Sequence, residues 1–213
     1  MSEENYLKDI SEIKNMMNKS SRFISLSGMS GVLAGIYALI GAFVASKMIR
    51  EYSSIEYINE KSQMIRGNFN LIDLEINLIL VAITVISLSI ITGIVLSRNK
   101  AKKNGDNIWN KTSKRLLFNF LIPLITGGIL CLVLLNNNII GLIAPFTLIF
   151  YGLACVNASK YTIGDIQYLG ITNIILGLVA TQYIGYGLYF WAFGFGILHI
   201  LYGTVMYFKY DKN

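Results

Sequence analysis

Two long stretches of this 213-residue chain contain no charged residue, and they constrain its fold more than any other feature. Residues 116–159 and 166–208 hold no Asp, Glu, Lys or Arg over 44 and 43 positions. Charged residues make up 14% of the whole chain, whereas a soluble domain carries about a quarter. A water-soluble fold would lack polar surface, so the sequence predicts an all-α, multi-pass membrane helix bundle.

Turn signals divide the apolar sequence into single crossings. A membrane-spanning helix needs roughly 20 apolar residues, and residues 23–46 and 76–97 are uncharged runs of 24 and 22 residues. The two longer stretches break at residues 136–138 (NNN) and 183–187 (YIGYG). The sequence therefore predicts six transmembrane helices, at about 23–47, 72–97, 116–135, 139–159, 165–182 and 188–208.

The lysines and arginines predict the orientation of the chain. If the N-terminus is cytoplasmic, 14 of the 18 lie in cytoplasmic segments and 4 outside, which follows the positive-inside rule. Both termini are then cytoplasmic. The most basic segment is a loop at residues 98–115, which we expect to contact the anionic inner leaflet rather than nucleic acid. Its seven positive residues are Arg98, Lys100, Lys102, Lys103, Lys111, Lys114 and Arg115.

Residues 1–22 are predicted to form an amphipathic cytoplasmic helix, separate from a transmembrane domain at residues 23–213. Tyr6, Ile10, Ile13 and Met17 recur at helical spacing, with charged residues on the far side. Such a helix can lie on the inner leaflet or pair with another copy in a homo-oligomer. The interfacial arrangement is favoured, because so short an apolar seam makes a weak coiled coil.

Small residues predict the faces on which the helices pack. Between helices in lipid the hydrophobic driving force is weak, so positions that let two backbones approach closely mark the contacts. The first predicted span carries such a stripe along its whole length, and the fifth and sixth carry shorter ones. The predicted packing residues are Ser27, Gly31, Gly35, Ala38, Gly177, Gly196 and Gly203.

The two long uncharged stretches resemble tandem copies of one helical hairpin. Residues 125–133 (ITGGILCLV) and 171–179 (ITNIILGLV) match at six of nine positions. Parallel repeats of this kind occur in transporters. Biased apolar composition also raises chance matches, so repeat and coincidence both stay open.

Three polar residues inside the predicted spans are candidates for ligand binding: Asn119, Asn173 and His199. An ionisable residue within a membrane is a functional hypothesis by default, here a proton relay or gate. The alternative is a neutral imidazole that is hydrogen-bonded across a hairpin, with Asn173 as the expected partner at similar depth. The absence of acidic residues from the spans favours this second interpretation.

Two other features have plain structural interpretations. Pro123 leaves the carbonyl of Asn119 without its helical donor, which predicts a kink with local polar satisfaction. Asp165 follows Thr162 at the three-residue spacing of a capping box.

No motif for catalysis, metal binding or phosphate binding is present. Cys131 and Cys155 lie in apolar stretches without C-x-x-C spacing, and the chain has one histidine. No nucleophile with a base can be named. We therefore expect no cofactor, no metal and no enzymatic activity.

Three segments resemble a known family: residues 23–42 (FISLSGMSGVLAGIYALIGA), 142–171 (LIAPFTLIFYGLACVNASKYTIGDIQYLGI) and 185–203 (GYGLYFWAFGFGILHILYG). The chain is similar, over nearly its whole length, to an uncharacterised family of small six-span bacterial inner-membrane proteins. Its members are often encoded beside a small winged-helix transcription regulator. The resemblance therefore implies a bacterial inner-membrane location and a regulatory setting, with a cytoplasmic regulator protein as partner, and it supplies no catalytic or binding residues.

Three functions stay open at this point. The first is a non-enzymatic membrane protein with a regulatory or organising role, because polar surface is concentrated on the cytoplasmic side. The second is a channel or transporter for a small uncharged solute, built around Asn119, Asn173 and His199. The third is a membrane-embedded lipid- or quinone-modifying enzyme. A bundle filled by its own side chains argues against the second, and a polar cavity reaching His199 argues for it.

Overall fold

A computed structural model of the protein describes residues 26–62, 71–105 and 109–212, with the backbone alone for residues 55–62 and 71–72. The described residues form six long helical segments, or rods. These are α1 (Gly28–Ser62), α2 (Leu71–Asn104), α3 (Lys111–Asn136), α4 (Ile143–Ala158), α5 (Ile166–Ala180) and α6 (Gly187–Asp211). Short 3₁₀ turns flank α4 at Ile140–Leu142 and Ser159–Tyr161. Within α6, Ala192–Ile197 and Tyr207–Asp211 are π-helical.

Five of the rods are long and apolar enough to cross a membrane. They are α1 over Gly28–Ser54, α2 over Asp73–Asn104, α3, the α4 rod over Ile140–Tyr161, and α6. The fifth rod, α5, is apolar but only 15 residues long. The predicted all-α fold with several helices of membrane-spanning length is thus confirmed for the described residues.

Three of the helices extend further than the sequence predicted. Helix α1 continues to Ser62, and α2 continues to Asn104, because Lys, Arg and Glu are good helix formers once they reach water. At the start of α3, Asn110 and Ser113 form a reciprocal capping box, so that helix begins at Lys111. Helical residues therefore take up both ends of the loop predicted at 98–115, since α2 ends at Asn104 and α3 begins at Lys111. The predicted amphipathic helix at 1–22 lies outside the described residues.

Helices α1, α4, α5 and α6 occupy the centre of the bundle, and α2 and α3 lie at its edges. Helix α1 packs on α6 along one side and on α2 along the other, while α4 packs on α5 and α3. Helix α2 has none of its most apolar window buried, and its aliphatic side chains point outward. In a membrane that outer face contacts lipid.

Charged side chains gather at one end of the bundle, which we call the charged end. It holds Lys100 at the end of α2, Asp165 before α5, and Lys209 and Asp211 at the end of α6. The opposite end carries the α3–α4 and α5–α6 turns. These turns use backbone with positive φ, 58° at Asn138 and 97° at Gly185.

The two hairpins that resemble each other in sequence differ in packing. Helices α3 and α4 contact each other along their lengths, whereas α5 and α6 touch only slightly, because α4 packs closely on α5. The repeat therefore remains a hypothesis.

Candidate functional site around His199

His199 follows the π-helical segment of α6 and is almost fully enclosed, with 8% of its surface exposed. Its Nδ1 lies 2.9 Å from the carbonyl oxygen of Gly194, and its Nε2 lies 2.7 Å from the Tyr151 hydroxyl on α4. Short π-helical segments occur frequently at functional sites. The π-helical backbone and the histidine ring therefore form one local unit.

The partners of the ring fix its tautomer. A carbonyl oxygen can only accept, so Nδ1 carries the proton and donates to Gly194. The other nitrogen, Nε2, is then free to accept from the Tyr151 hydroxyl. A neutral imidazole satisfies both contacts without an acidic partner. The prediction of a hydrogen bond across the α5–α6 hairpin to Asn173 was wrong, because the ring bonds to Tyr151 of α4 instead.

Asn173 lies near the same π-helical segment without bonding to His199. Its side-chain NH₂ donates to the Leu169 carbonyl one turn earlier in α5, at 2.9 Å. The residue is fully buried, and its Oδ1 has no hydrogen-bond partner among the described residues. A Cβ added at Gly194 would lie 2.8 Å from that oxygen. Glycine at 194 therefore lets α6 approach Asn173 closely.

Aromatic rings fill the space beside His199. The Phe195 ring lies 5.0 Å from Tyr151 and 5.8 Å from His199 between ring centroids. Phe120 of α3 meets Tyr151 edge-on at 6.1 Å, and Trp191 lies 5.1 Å from Phe195. Such offset and edge-to-face pairs add to the stability of a packed core. A solute beside His199 would have to displace these rings.

Asn119 takes part in a different contact. Its carbonyl, which Pro123 deprives of a helical donor, accepts from the Asn157 side chain at 2.9 Å. Its own amide donates to the Arg115 carbonyl at 2.8 Å. Of the three predicted ligand-binding residues, Asn173 and His199 therefore both contact Gly194, whereas Asn119 is hydrogen-bonded to Asn157.

The predicted packing residues lie at close helix–helix contacts. A Cβ on Gly35 would lie 2.6 Å from the Gly196 carbonyl oxygen, and one on Gly203 would lie 2.5 Å from the Val32 nitrogen. Gly31 faces Gly203 across the same interface. The remaining residues of the set, Ser27, Ala38 and Gly177, are also buried, the last against Pro145 of α4.

Of the seven basic residues predicted to face lipid, six are exposed: Arg98, Lys102, Lys103, Lys111, Lys114 and Arg115. The seventh, Lys100, pairs with Asp211, and only 14% of its side chain is exposed. We therefore remove Lys100 from the residues proposed to contact lipid, because its ammonium group pairs with the Asp211 carboxylate.

Asp165 differs from its predicted role as well. It occupies the N-cap position of α5 and makes no side-chain capping bond there. Its carboxylate accepts from Lys209 Nζ at 2.6 Å and from the Tyr210 hydroxyl at 3.0 Å. The hydrogen bond from Lys209 holds the pKa of Asp165 below its usual range, although partial desolvation opposes this and Tyr210 adds to it.

An apolar groove lies between α1 and α2, away from His199. It encloses about 350 Å³ and opens sideways, toward the surrounding lipid if the bundle spans a membrane. Tyr37, Asn77 and Thr84 are the polar residues among its aliphatic walls. We assign no ligand to it, because a lipid acyl chain fills such a groove by default.

Sequence reasoning missed the residues that complete these clusters. The chain has 13 tyrosines, and no sequence feature distinguishes Tyr151 from the others. Cys155 lies one turn after Tyr151 on α4 and is buried beside it, which the four-residue spacing could have indicated. The contacts of Asp211 depend on three elements that are far apart in sequence.

No protein-family model, curated protein or solved structure matches this chain. Within the described residues, no group of three or more His, Cys, Asp or Glu side chains is placed to hold a metal ion.

Proposed function

We propose that this chain is a non-enzymatic, regulatory or organising protein of the bacterial inner membrane, which meets its partners at the charged end of the bundle. One observation carries the proposal: six basic side chains are exposed at this end, while His199 and Asn157 bond to groups inside the bundle. The interior is thus arranged for packing, and the polar surface at one end is arranged for contact.

The topology that we propose has six crossings, with both ends of the chain in the cytoplasm. The Gly28 backbone N–H donates to Asp211 Oδ2 at 2.9 Å, so α1 begins where α6 ends. Two ends on one side require an even number of crossings, which supports α5 as the sixth span. At about 1.5 Å per residue, its 15 residues fall short of a hydrocarbon core of about 30 Å. Local thinning or the flanking turns would make up the difference.

Labelling of single cysteines tests this topology. In a background of Cys131→Ser and Cys155→Ser, we expect a membrane-impermeant maleimide to label Tyr186→Cys in intact spheroplasts. It should label Asn104→Cys only after lysis. Both residues are exposed, so accessibility alone cannot explain a difference. The reverse pattern would contradict the proposed orientation.

The proposed partners are anionic lipid and a cytoplasmic protein. Each Lys or Arg near an anionic leaflet contributes about 1 kcal/mol of attraction, so six exposed charges favour a stable position at the lipid surface. Residues 1–22, which are amphipathic by sequence, add a second contact on the same side. A second copy of the chain is an alternative partner for that segment.

Deletion of residues 1–20 tests the organising role. We expect the full-length chain to retain a cytoplasmic protein in crosslinked membranes and the deletion variant to lose it, with the same cellular phenotype as a null strain. Lys47→Gln with Arg50→Gln serves as the control, because it removes two exposed charges from α1 at the far end of the predicted first span. If deletion changed neither the retained proteins nor the phenotype, this function would be rejected.

The alternative functions have less support. A channel or transporter for a small uncharged solute would need space near His199, where Phe195 and Tyr151 pack against the ring. A lipid- or quinone-modifying enzyme would need an available base or a cofactor, but both nitrogens of His199 have protein partners. Solute-dependent swelling of proteoliposomes, lost in His199→Phe, would revive the transport hypothesis.

A further inference from the structure

Asp211 joins three helices at the charged end through one carboxylate. Its Oδ1 lies 2.5 Å from Lys100 Nζ of α2, and its Oδ2 accepts from the Gly28 backbone N–H at 2.9 Å and from the Ser27 hydroxyl at 3.2 Å. Lys100 Nζ also donates to the Leu26 carbonyl at 2.9 Å. These contacts fix the point at which the chain enters α1.

Burial distinguishes this ion pair from its neighbour in the same tail. The side chains of Lys100 and Asp211 are 14% and 10% exposed, whereas those of Lys209 and Asp165 are 53% and 26% exposed. Removing one member of a buried pair leaves an uncompensated charge, while an exposed charge is solvated by water. The Asp211 contacts are therefore expected to form or break together.

The residues that carry Asp211 form a π-helical segment, Tyr207–Asp211, closed by a hydrogen bond from the Lys212 nitrogen to the Tyr207 carbonyl at 3.1 Å. Isolated π-helical turns are rare and need support from surrounding contacts. Each residue advances less around the axis in a π-helix than in an α-helix. A return to α-helical geometry would turn Asp211 away from Gly28 and Lys100.

We propose that Asp211, Lys100 and the start of α1 form a releasable clasp, with the π-helical tail as its moving part. In the clasped state the tail holds Leu26 and Gly28 against α2 and α6. In the released state the tail is α-helical and the start of α1 is free to move. Buried polar contacts that specify one arrangement are well suited to a switch.

The clasp also gives the chain before Leu26 a mechanical link to the bundle. A partner or lipid surface that engages residues 1–22 would act directly on the Leu26 carbonyl and the Gly28 N–H. This coupling rests on the proposed function, whereas the clasp itself does not. The two are therefore tested by separate variants.

Maleimide labelling of Ser27→Cys reports the state of the clasp. The substitution is nearly isosteric and the native residue is 9% exposed. It replaces the longest of the Asp211 contacts, the 3.2 Å bond from the Ser27 hydroxyl, by a weak thiol donor, and it leaves the contacts with Gly28 and Lys100 in place. In Cys131→Ser/Cys155→Ser protein held in phosphatidylcholine nanodiscs, we expect slow labelling that accelerates at least tenfold in Asp211→Asn and in Lys100→Met. Asp165→Asn is the matched control, because it breaks the exposed ion pair of the same tail, and it should leave the rate unchanged.

Two further measurements separate release from unfolding. Cys155 is 3% exposed, so in Cys131→Ser protein it should stay unreactive when Asp211→Asn is added. Asp211→Glu keeps the charge balance, but its longer side chain cannot hold Gly28 and Lys100 in the same geometry, so labelling at position 27 should still rise severalfold. An unchanged rate in Asp211→Glu, or an equal rise in Asp165→Asn, overturns the clasp.

Deletion of residues 1–20 in the Ser27→Cys protein tests the coupling. A changed labelling rate supports the link between the N-terminal segment and the clasp. A rate that responds to Asp211→Asn but not to the deletion keeps the clasp and removes the link. Loss of protein partners on deletion, with no response to Asp211→Asn, keeps the proposed function and removes the clasp.

Discussion

The two sides of α1 are packed by different means. On the α6 side, glycines bring the two backbones together, and an added Cβ at Gly35 or Gly203 would meet backbone atoms of the other helix. On the α2 side, side chains keep the helices apart and a groove lies between them. A hydrogen bond of 3.3 Å between the Tyr37 and Thr92 hydroxyls joins the two helices beside that groove. Each side therefore has its own sensitivity to mutation.

The difference follows from the membrane as solvent. Lipid tails are as apolar as leucine, so helices gain stability mainly from close van der Waals contact and hydrogen bonds. Backbone contact on the α6 side provides many such interactions. Helix α2 lacks them along most of its length, and at the charged end Lys100 adds an ionic contact with α6. We expect α2 to be the more easily displaced neighbour.

Gly203→Ala should give the largest effect. Gly203 lies on the α6 side of α1, which we call the tight side because the two helix backbones are in contact there. The new Cβ would lie 2.5 Å from the Val32 nitrogen and 2.7 Å from the Gly28 carbonyl oxygen, which are backbone atoms that cannot rotate away. We expect a loss of about 3 kcal/mol in the free energy of unfolding, measured by SDS titration in mixed micelles. Gly93→Ala on α2 is the control, because nothing lies within 4 Å of its Cβ position. Equal stability of the two variants would remove the distinction between the two sides.

His199→Phe should have the next largest effect, because α6 must itself be held in place for the tight side to form. The substitution keeps an aromatic ring but removes the ring donor to the Gly194 carbonyl and the ring acceptor of the Tyr151 hydroxyl. We expect a loss of about 2 kcal/mol in the same titration, and a partial recovery on adding Tyr151→Phe. If the double variant lost more free energy of unfolding than the two single variants together, the lost hydrogen bond would not explain the effect of His199→Phe.

Gly41→Ala sharpens the contrast, because its Cβ contact is nominally as short as those on the tight side. The nearest atom, at 2.6 Å, is Val85 Cγ2 on α2, the end of a side chain on a helix that can shift. We expect a change smaller than about 1 kcal/mol, since better helix propensity offsets the contact. A loss as large as that of Gly203→Ala would mean that α2 is held as rigidly as α6.

The smallest effect should come from the exposed ion pair that joins α6 to α5. Because the pKa of Asp165 is lowered in the folded protein, its stabilising effect is present above the unfolded value of about 3.9 and is lost as the pH falls through the folded value. Asp165→Asn should lower Tm by less than about 2 °C at pH 7, and the difference should shrink steadily as the pH falls below the unfolded value. A difference that stayed constant as the pH was lowered to the acid limit of the fold would show that the carboxylate charge is not its source.

Local sequence features predicted the parts of the fold that depend on one segment at a time. Residues 136–138 mark the α3–α4 turn, and Asn138 has positive φ there. Gly31 and Gly35 lie on the α6 interface, because a one-turn spacing places small residues on the same face of a helix. Helix ends were less predictable, since the limit of an apolar run marks the membrane boundary and not the end of the helix.

The candidate site was only partly predictable for a related reason. His199 stands out as the single histidine of the chain, but its partner does not, because tyrosine is common in these spans. Asn173 was the expected partner because it was predicted to lie at a similar depth in the membrane, but its side-chain amide donates to a carbonyl of its own helix, α5. The choice between the two depends on the tertiary arrangement around the ring, where Tyr151 of α4 reaches Nε2 and the Asn173 side chain donates to Leu169.

The sequence by itself determined that this chain forms apolar helices of membrane-spanning length, since the removal of charge from long runs leaves no soluble alternative. Tertiary structure alone decided the contacts of His199 with Tyr151 and of Asp211 with Lys100 and Gly28. A transfer free energy is a property of each segment, whereas a hydrogen bond between helices depends on the positions of both.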